Sequence, residues 1–137
     1  MSSETELKTG LFEVMEGITL SNAKIPENIE ENYTIGESFV RYFIQPVLKK
    51  QASYGTGGPN YHRGIFHIEV CSPNNVGPLV PMQIADAICP YFKRGTKVTL
   101  SNGEISFDKC EIKTAYRENS LYVLPIYATY RALMSND

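Results

Sequence analysis

The chain has 137 residues, 42% of them hydrophobic, enough for one domain with one core, whereas two domains of half that size would each be marginal. Thirteen Lys and Arg against fifteen Asp and Glu give a formal net charge of −2, which argues against a dedicated nucleic-acid binder but leaves room for a local basic loop. Cys71, Cys89 and Cys110 are widely spaced and fall in predicted strands or helices; they read as small buried hydrophobes in a reducing compartment, and neither a disulfide framework nor a zinc site is expected.

No apolar run reaches transmembrane length, and the N-terminal residues lack the basic-then-apolar order of a secretion signal, so a cytosolic product is expected. Ser3 and Glu6 have capping-box spacing, and Leu7, Leu11, Val14 or Met15, and Ile18 follow at helical intervals, predicting a helix over about residues 3–16. Gly10 weakens it by roughly 1 kcal/mol relative to Ala, so packing must hold it, and Gly17 can close it. Residues 21–37 read as a wrapping connection pinned by Ile25, Ile29, Tyr33 and Ile35. Residues 38–47 read as a strand with Phe39, Phe43 and Val47 on one face and Val40, Tyr42 and Ile44 on the other; both faces are covered, or one meets another subunit.

Residues 48–63 contain three glycines, one proline, several basic residues and no acid, and predict a long hairpin loop standing off the sheet. In residues 64–71, Phe66, Ile68 and Val70 alternate with Ile65, His67 and Glu69, the period of a strand with one buried face. After the punctuation of residues 72–78, apolar positions recur at Ile84, Ala85, Ile88 and Phe92, predicting a helix from Val80. Pro81 suits its first turn, while Pro90 should kink or shorten the last, before Lys93, Arg94 and Gly95.

Residues 97–100 and 104–107 flank Asn102-Gly103, the preferred pair for a type I′ hairpin. Two further strands are predicted over 108–116 and 121–133, joined at 117–120. In the last, Tyr122, Leu124, Ile126 and Ala128 share one face and Leu121, Val123, Tyr127 and Thr129 the other; Pro125 suggests an edge or a bulge. The expected architecture is α+β: a mostly antiparallel four-stranded sheet plus a short β-hairpin, with two helices packed on the sheet, in a single domain over 1–137 frayed at about 1–2 and 134–137.

The most tempting chemical signal is His67-Ile68-Glu69 with Cys89-Pro90 downstream, because zinc deaminases use His-x-Glu followed by Pro-Cys-x-x-Cys. The match fails: the order is Cys-Pro, the second cysteine is missing, and His67 and Glu69 fall on the outer side of a strand, which reads as a solvated face. Gly55, Gly57 and Gly58 lack the Gly-Lys-Ser/Thr of a phosphate loop, and no Gly-x-Ser-x-Gly elbow occurs. Asp86, Asp108 and Glu111 have the spacing of an ordinary polar surface. No catalytic, cofactor-binding or metal residue is therefore assigned. The single basic-aromatic cluster is Lys49, Lys50, Tyr54, Tyr61, His62 and Arg63. It reads either as a solvated loop or as a contact loop for a protein partner or a passing DNA backbone.

A family resemblance rests on several motifs in order: Arg-Gly-Ile-Phe-His-Ile-Glu-Val at 63–70, Gly77-Pro78, Ile-Ala-Asp-Ala-Ile at 84–88, Phe-Lys-Arg-Gly-Thr at 92–96, Leu124-Pro125 and Tyr130-Arg131. Glu31-Asn32-Tyr33-Thr34 and Phe39-Val40-Arg41 precede them. Together they resemble the tail terminator and minor tail proteins of long-tailed bacteriophages, similar to the lambda tail terminator group. The resemblance implies a structural virion protein, without enzymatic activity or cofactor, at the head-proximal end of the tail after assembly in the host cytoplasm. It further implies a hexameric ring that caps the tail tube, ends its polymerisation and meets the head-completion protein, with DNA passing through and making at most transient, non-specific contacts. No membrane partner is expected. Ring contacts would come from strand 38–47, the tyrosines of 121–130 and the 48–63 loop, since a head-to-tail ring joins two different patches of each subunit. A head-to-tail connector adaptor is the alternative, and a small metal-dependent hydrolase or deaminase would require a bound metal.

Overall fold

The computed structural model describes residues 3–20, 22–27, 37–51, 60–73 and 77–135. In chain order the elements are helix α1 (Ser3–Gly17), strands β1 (Ala23–Pro26), β2 (Phe39–Gln51) and β3 (Asn60–Pro73), and helix α2 (Leu79–Ile88) continued by a 3-10 turn at Cys89–Phe92. Strands β4 (Lys97–Leu100), β5 (Gly103–Ile112), β6 (Tyr116–Glu118) and β7 (Leu121–Met134) follow. The seven strands among the described residues make one mixed sheet in the order β1-β2-β3-β7-β5-β4, with β6 also on β7.

This corrects the expected four-stranded antiparallel sheet with a separate hairpin. β1, inside the supposed wrapping connection, pairs parallel to β2. The hairpin strands are not a satellite, because β5 runs on through Asp108 and pairs with β7, absorbing the extra residue as a register break between Phe107 and Lys109. β6 lies where a turn was expected, and only Asn119 and Ser120 remain between it and β7, with Asn119 in the left-handed region at φ 54°.

Both helices pack on one face of the sheet. Leu7, Leu11 and Met15, spaced four apart on α1, are buried with Ile18, and Ile84, Ala85 and Ile88 are the buried side of α2. Val40, Tyr42, Phe66, Ile68, Ile126 and Ala128 receive them from the sheet. Edge-to-face ring contacts connect the layers from Phe12 to Tyr42 (4.9 Å), Tyr42 to Phe66 (5.8 Å), Phe66 to Phe92 (5.6 Å) and Phe92 to Phe107 (5.2 Å). Each such pair contributes about 1 kcal/mol beyond the area it buries. Pro90 acts as expected: the α-helix stops at Ile88, and the tighter turn after it drops Phe92 into this chain of rings.

Lys24 on β1 closes the C-terminal end of α1, its Nζ donating to the carbonyl oxygens of Ile18 (2.7 Å) and Glu16 (2.9 Å). At the other end of α1, the buried Glu6 carboxylate accepts from Ser101 Oγ (2.7 Å), Asn102 N (2.9 Å) and Asn102 Nδ2 (3.1 Å). This grip accompanies a second correction. Leu100 pairs with Gly103, so the β4–β5 turn is Ser101-Asn102, one residue earlier than expected, and neither residue has the positive φ of a type I′ turn. Gly103 is a strand residue needed for close approach, since a Cβ there would lie 2.3 Å from the Leu133 carbonyl oxygen.

Pro125 lies neither on an edge nor in a bulge. β5 pairs with β7 up to Ile126 and β6 takes over at Val123, so the proline's missing donor falls in the gap between them. Its carbonyl still accepts from Lys113 N at 2.8 Å. Met134, expected to fray, is buried at the end of β7, while Asn136 and Asp137 lie outside the described residues.

Gly64 offers a direct test of the packing. A Cβ there would sit 2.4 Å from the Tyr130 hydroxyl and 2.8 Å from the Gln45 carbonyl oxygen, so the Tyr130 ring crosses β3 only because Gly64 has no side chain. Gly64→Ala is expected to lower stability by roughly 1–3 kcal/mol, read as a lower urea midpoint at unchanged m-value. An unchanged midpoint would mean that the ring has another place to go.

Candidate functional site

Residues 48–63 do not form a loop standing off the sheet. β2 continues to Gln51 and β3 starts at Asn60, so Leu48, Lys49, Lys50 and Gln51 pair with Arg63, His62, Tyr61 and Asn60. Residues 52–59, with Tyr54 and the three glycines, lie outside the described residues. The predicted cluster is therefore divided between the two faces of one sheet end.

The break in β2 register between Pro46 and Leu48 decides the division. Lys49 and His62 are cross-strand partners on the helix face, and His62 is buried there. They line a mainly apolar groove of about 280 Å³ with Leu7, Ile44, Val47 and Tyr130, and with Lys8 and Arg63 at its edge. Burial pushes the Tyr130 hydroxyl up to about 12. Tyr61 alternates to the opposite face, where it lines a shallow depression with Glu104, Arg131 and Leu133. Arg131, the β7 partner of Arg63, bonds Asp108 through Nε at 3.2 Å. Lys50 pairs with Tyr61 by register. The structure thus brings Lys49, His62 and Arg63 to one groove and leaves Tyr61 on the opposite face.

The opposite face holds a network that sequence spacing did not reveal. His67 stacks on Phe43 (4.5 Å between centroids, 7° between planes), meets Tyr127 edge-on (4.4 Å) and donates from Nε2 to Gln45 Oε1 at 2.6 Å. Lys113 Nζ sits over the Tyr127 ring, 5.5 Å from its centroid. One pair further along β3, Glu69 accepts from Arg41 Nε at 2.7 Å and from the Tyr116 hydroxyl at 2.8 Å, while Arg41 also bonds Glu118. Burial and the bond to Glu69 push the Tyr116 hydroxyl up to about 12. His67 and Glu69 are therefore not the solvated face expected: one is buried among rings, the other held by a guanidinium and a phenol. Cys89, the other half of the deaminase-like pattern, packs against the core on the helix side, so the sheet separates it from His67.

Two exposed apolar patches complete the surface. One lies at the β2 register break, where Val47 (63% exposed) and Leu48 stand out. The other is the outward side of the start of α2, Leu79 (66% exposed), Val80 and Met82; the expected helix begins only at Val80, and its core positions are Ile84, Ala85, Ile88 and Phe92. α2 starts beyond the Pro73 end of β3 and Val47 lies toward its Asn60 end, so the patches are toward opposite ends of the subunit. No helix among the described residues is long and apolar enough to cross a membrane.

A mixed sheet with helices on one face, charged groups tied mainly to one another and apolar patches at its two ends is the form of an assembly subunit. The sequence matches the phage tail terminator protein family over residues 13–130, and the chain belongs to that family, whose role is a structural one in the phage tail. No curated protein sequence matches it. Six chains of solved structures match; one superposes with a TM-score of 0.71 at 13% identity, over 94% of this chain and 92% of its own, which shows a shared fold.

His67 should make the protein acid-sensitive. Burial among the rings lowers its pKa from the ordinary 6.5, with Glu69 only partly opposing the shift. Because the folded pKa lies below the unfolded one, its stabilisation is complete above about pH 6.5 and is lost as pH falls through the folded value. The urea midpoint is expected to drop on acidification through that window, and His67→Phe, which keeps the stack without the proton, should flatten the drop. Parallel wild-type and variant profiles would remove His67 from the acid response.

Proposed function

We propose that this chain is the tail terminator itself: a single-domain subunit that joins head-to-tail into a hexameric ring, caps the tail tube, ends its polymerisation and offers its outer side to the head-completion protein. Membership of the tail terminator family carries this reading. The two apolar patches support it, because a head-to-tail ring buries two different surfaces of each subunit, and the Val47–Leu48 and Leu79–Met82 regions are separate and exposed, the first edged by Lys8, Lys49 and Arg63. The role is positional rather than enzymatic, and it requires no cofactor. DNA passing through such a ring would meet only weak phosphate contacts from groups such as Lys49 and Arg63, because strong neutralisation of many phosphates would retain it. On this reading the protein belongs to the head-proximal end of the tail and assembles there in the host cytoplasm.

Negative-stain images and native mass of the purified chain, alone and with the tail-tube protein, should give a closed ring. Val47→Asp and Leu79→Asp are each expected to leave monomers that cannot cap tubes. Mixing the two variants should restore one intact contact per pair and stop at a dimer, a result that only a head-to-tail interface between these patches produces. A wild-type chain that stays monomeric and leaves tube length unchanged would end the proposal. Capture on tailless, DNA-filled heads in place of headless tails would assign the chain to the connector.

A further inference from the structure

We propose that Cys89 and Cys110 form a thiol-oxidation site, closing under a mild disulfide oxidant into an intramolecular bridge that clamps the end of α2 onto β5. Their Sγ atoms are 3.1 Å apart although the residues are 21 positions apart in the chain. A disulfide bond is about 2.05 Å long, so closure needs only about 1 Å of side-chain movement. Neither residue is placed by chance. Cys89 opens the 3-10 turn with its backbone N–H bonded to the Ala85 carbonyl, and Cys110 sits on β5 in register with Ala128 of the central strand β7. The two thiols therefore meet on the helix face, between elements that are each fixed independently.

Exposure and acidity favour this pair over the third cysteine. Cys89 and Cys110 are half-buried, within reach of a small thiol reagent. Cys71 is fully buried on the other side of the sheet among Ile25, Phe39 and Val123. The Cys110 S–H donates to the Cys89 sulfur; this bond lowers the Cys89 pKa, with burial and Asp86 opposing it. The same bond, together with burial, raises the Cys110 pKa. Cys89 is accordingly the sulfur that ionises first and attacks.

With glutathione disulfide as oxidant the step balances. The Cys89 thiolate bonds to one glutathione sulfur and expels the other as a thiolate, which takes up a proton. Cys110 then gives up its proton and attacks Cys89 Sγ, breaking the mixed disulfide and releasing the second glutathione. The two cysteines lose two electrons and two protons, and the oxidant is reduced to two glutathione molecules. The bridge would close the loop that carries Pro90, the basic Lys93-Arg94 pair and β4, and so remove freedom from the unfolded chain. This inference goes beyond the tail-terminator reading and stands whether or not the chain forms a ring.

The test uses the full reduced chain, incubated with glutathione disulfide, quenched with an alkylating reagent and mapped by mass after digestion. The expected product is a Cys89 peptide linked to a Cys110 peptide, two hydrogens lighter than the reduced pair, with Cys71 alkylated. The oxidised chain should show a Tm higher by roughly 5–10 °C, reversed by dithiothreitol. Cys89→Ser should abolish both the link and the rise; the wild-type map stands by itself where that variant folds poorly. Glutathione adducts that never resolve, links only between chains, or full alkylation of both cysteines would overturn the site, and a link that leaves Tm unchanged would overturn the clamp.

Discussion

β7 is an interior strand with a proline in it, and the rest of the sheet is arranged around that conflict. An interior strand must satisfy backbone groups along both edges, and Pro125 has no N–H to offer. One edge is taken by β3, fourteen residues against fourteen without a break in register. The other is shared: β5 runs up to Ile126, β6 starts at Val123, and the gap between them falls at the proline. Since β3 and β7 stay in register throughout, the alternation of one fixes that of the other. Phe66 and Ile68 face the helices with Ala128 and Ile126, and His67 and Glu69 face away with Tyr127 and Pro125. Every surface considered as a functional site follows from that assignment.

What could be read from sequence was whatever carries its own period or an unambiguous local stop. α1, α2, the cores of β2, β3 and β7, the faces of β7 and the effect of Pro90 all belong to this class. β1 and β6 do not, because four and three residues leave no room for a period and each is a strand only through its neighbour. The β4–β5 turn was misplaced by one residue because Asn-Gly is a strong local signal, whereas the chain holds Ser101-Asn102 with a carboxylate from the far side of the sequence. Residues 48–51 and 60–63 looked like loop by composition but are strand because they pair with one another, and 60–63 with the end of β7 as well. A candidate cluster drawn from that composition could not foresee the register break in β2 that pairs Lys49 with His62.

The network around Arg41 and His67 bears on where a partner can bind. Glu69 is held by Arg41 and Tyr116, and Arg41 by Glu69 and Glu118, so these groups already meet one another's hydrogen-bonding needs. Prying Arg41 from Glu69 to contact another subunit would leave two largely buried charges without their partners. Contact is cheaper where exposed side chains are apolar and no buried ion pair must be opened, as at Leu79, Val80 and Met82 at the start of α2 and at Val47 and Leu48. The ring rows and ion pairs thus serve the stiffness of the sheet, and the ends of the subunit are left for recognition.

That division also explains why the awkward proline of α2 is compatible with a precise surface. Phe92, four residues beyond Ile88 on the buried side of α2, lies between Phe66 and Phe107 and makes edge-to-face contacts with both. Pro90 ends the α-helix in a 3-10 turn that keeps Phe92 inward, and that buried ring fixes the C-terminal end of α2 against β3 and β5. A helix of only ten residues anchored so firmly at one end, with Pro81, Ile84 and Ala85 buried along it, has little freedom to roll. Leu79, Val80 and Met82 are therefore presented outward in a fixed direction by a core contact at the helix's far end, as a subunit that must repeat the same contact around a closed assembly would require.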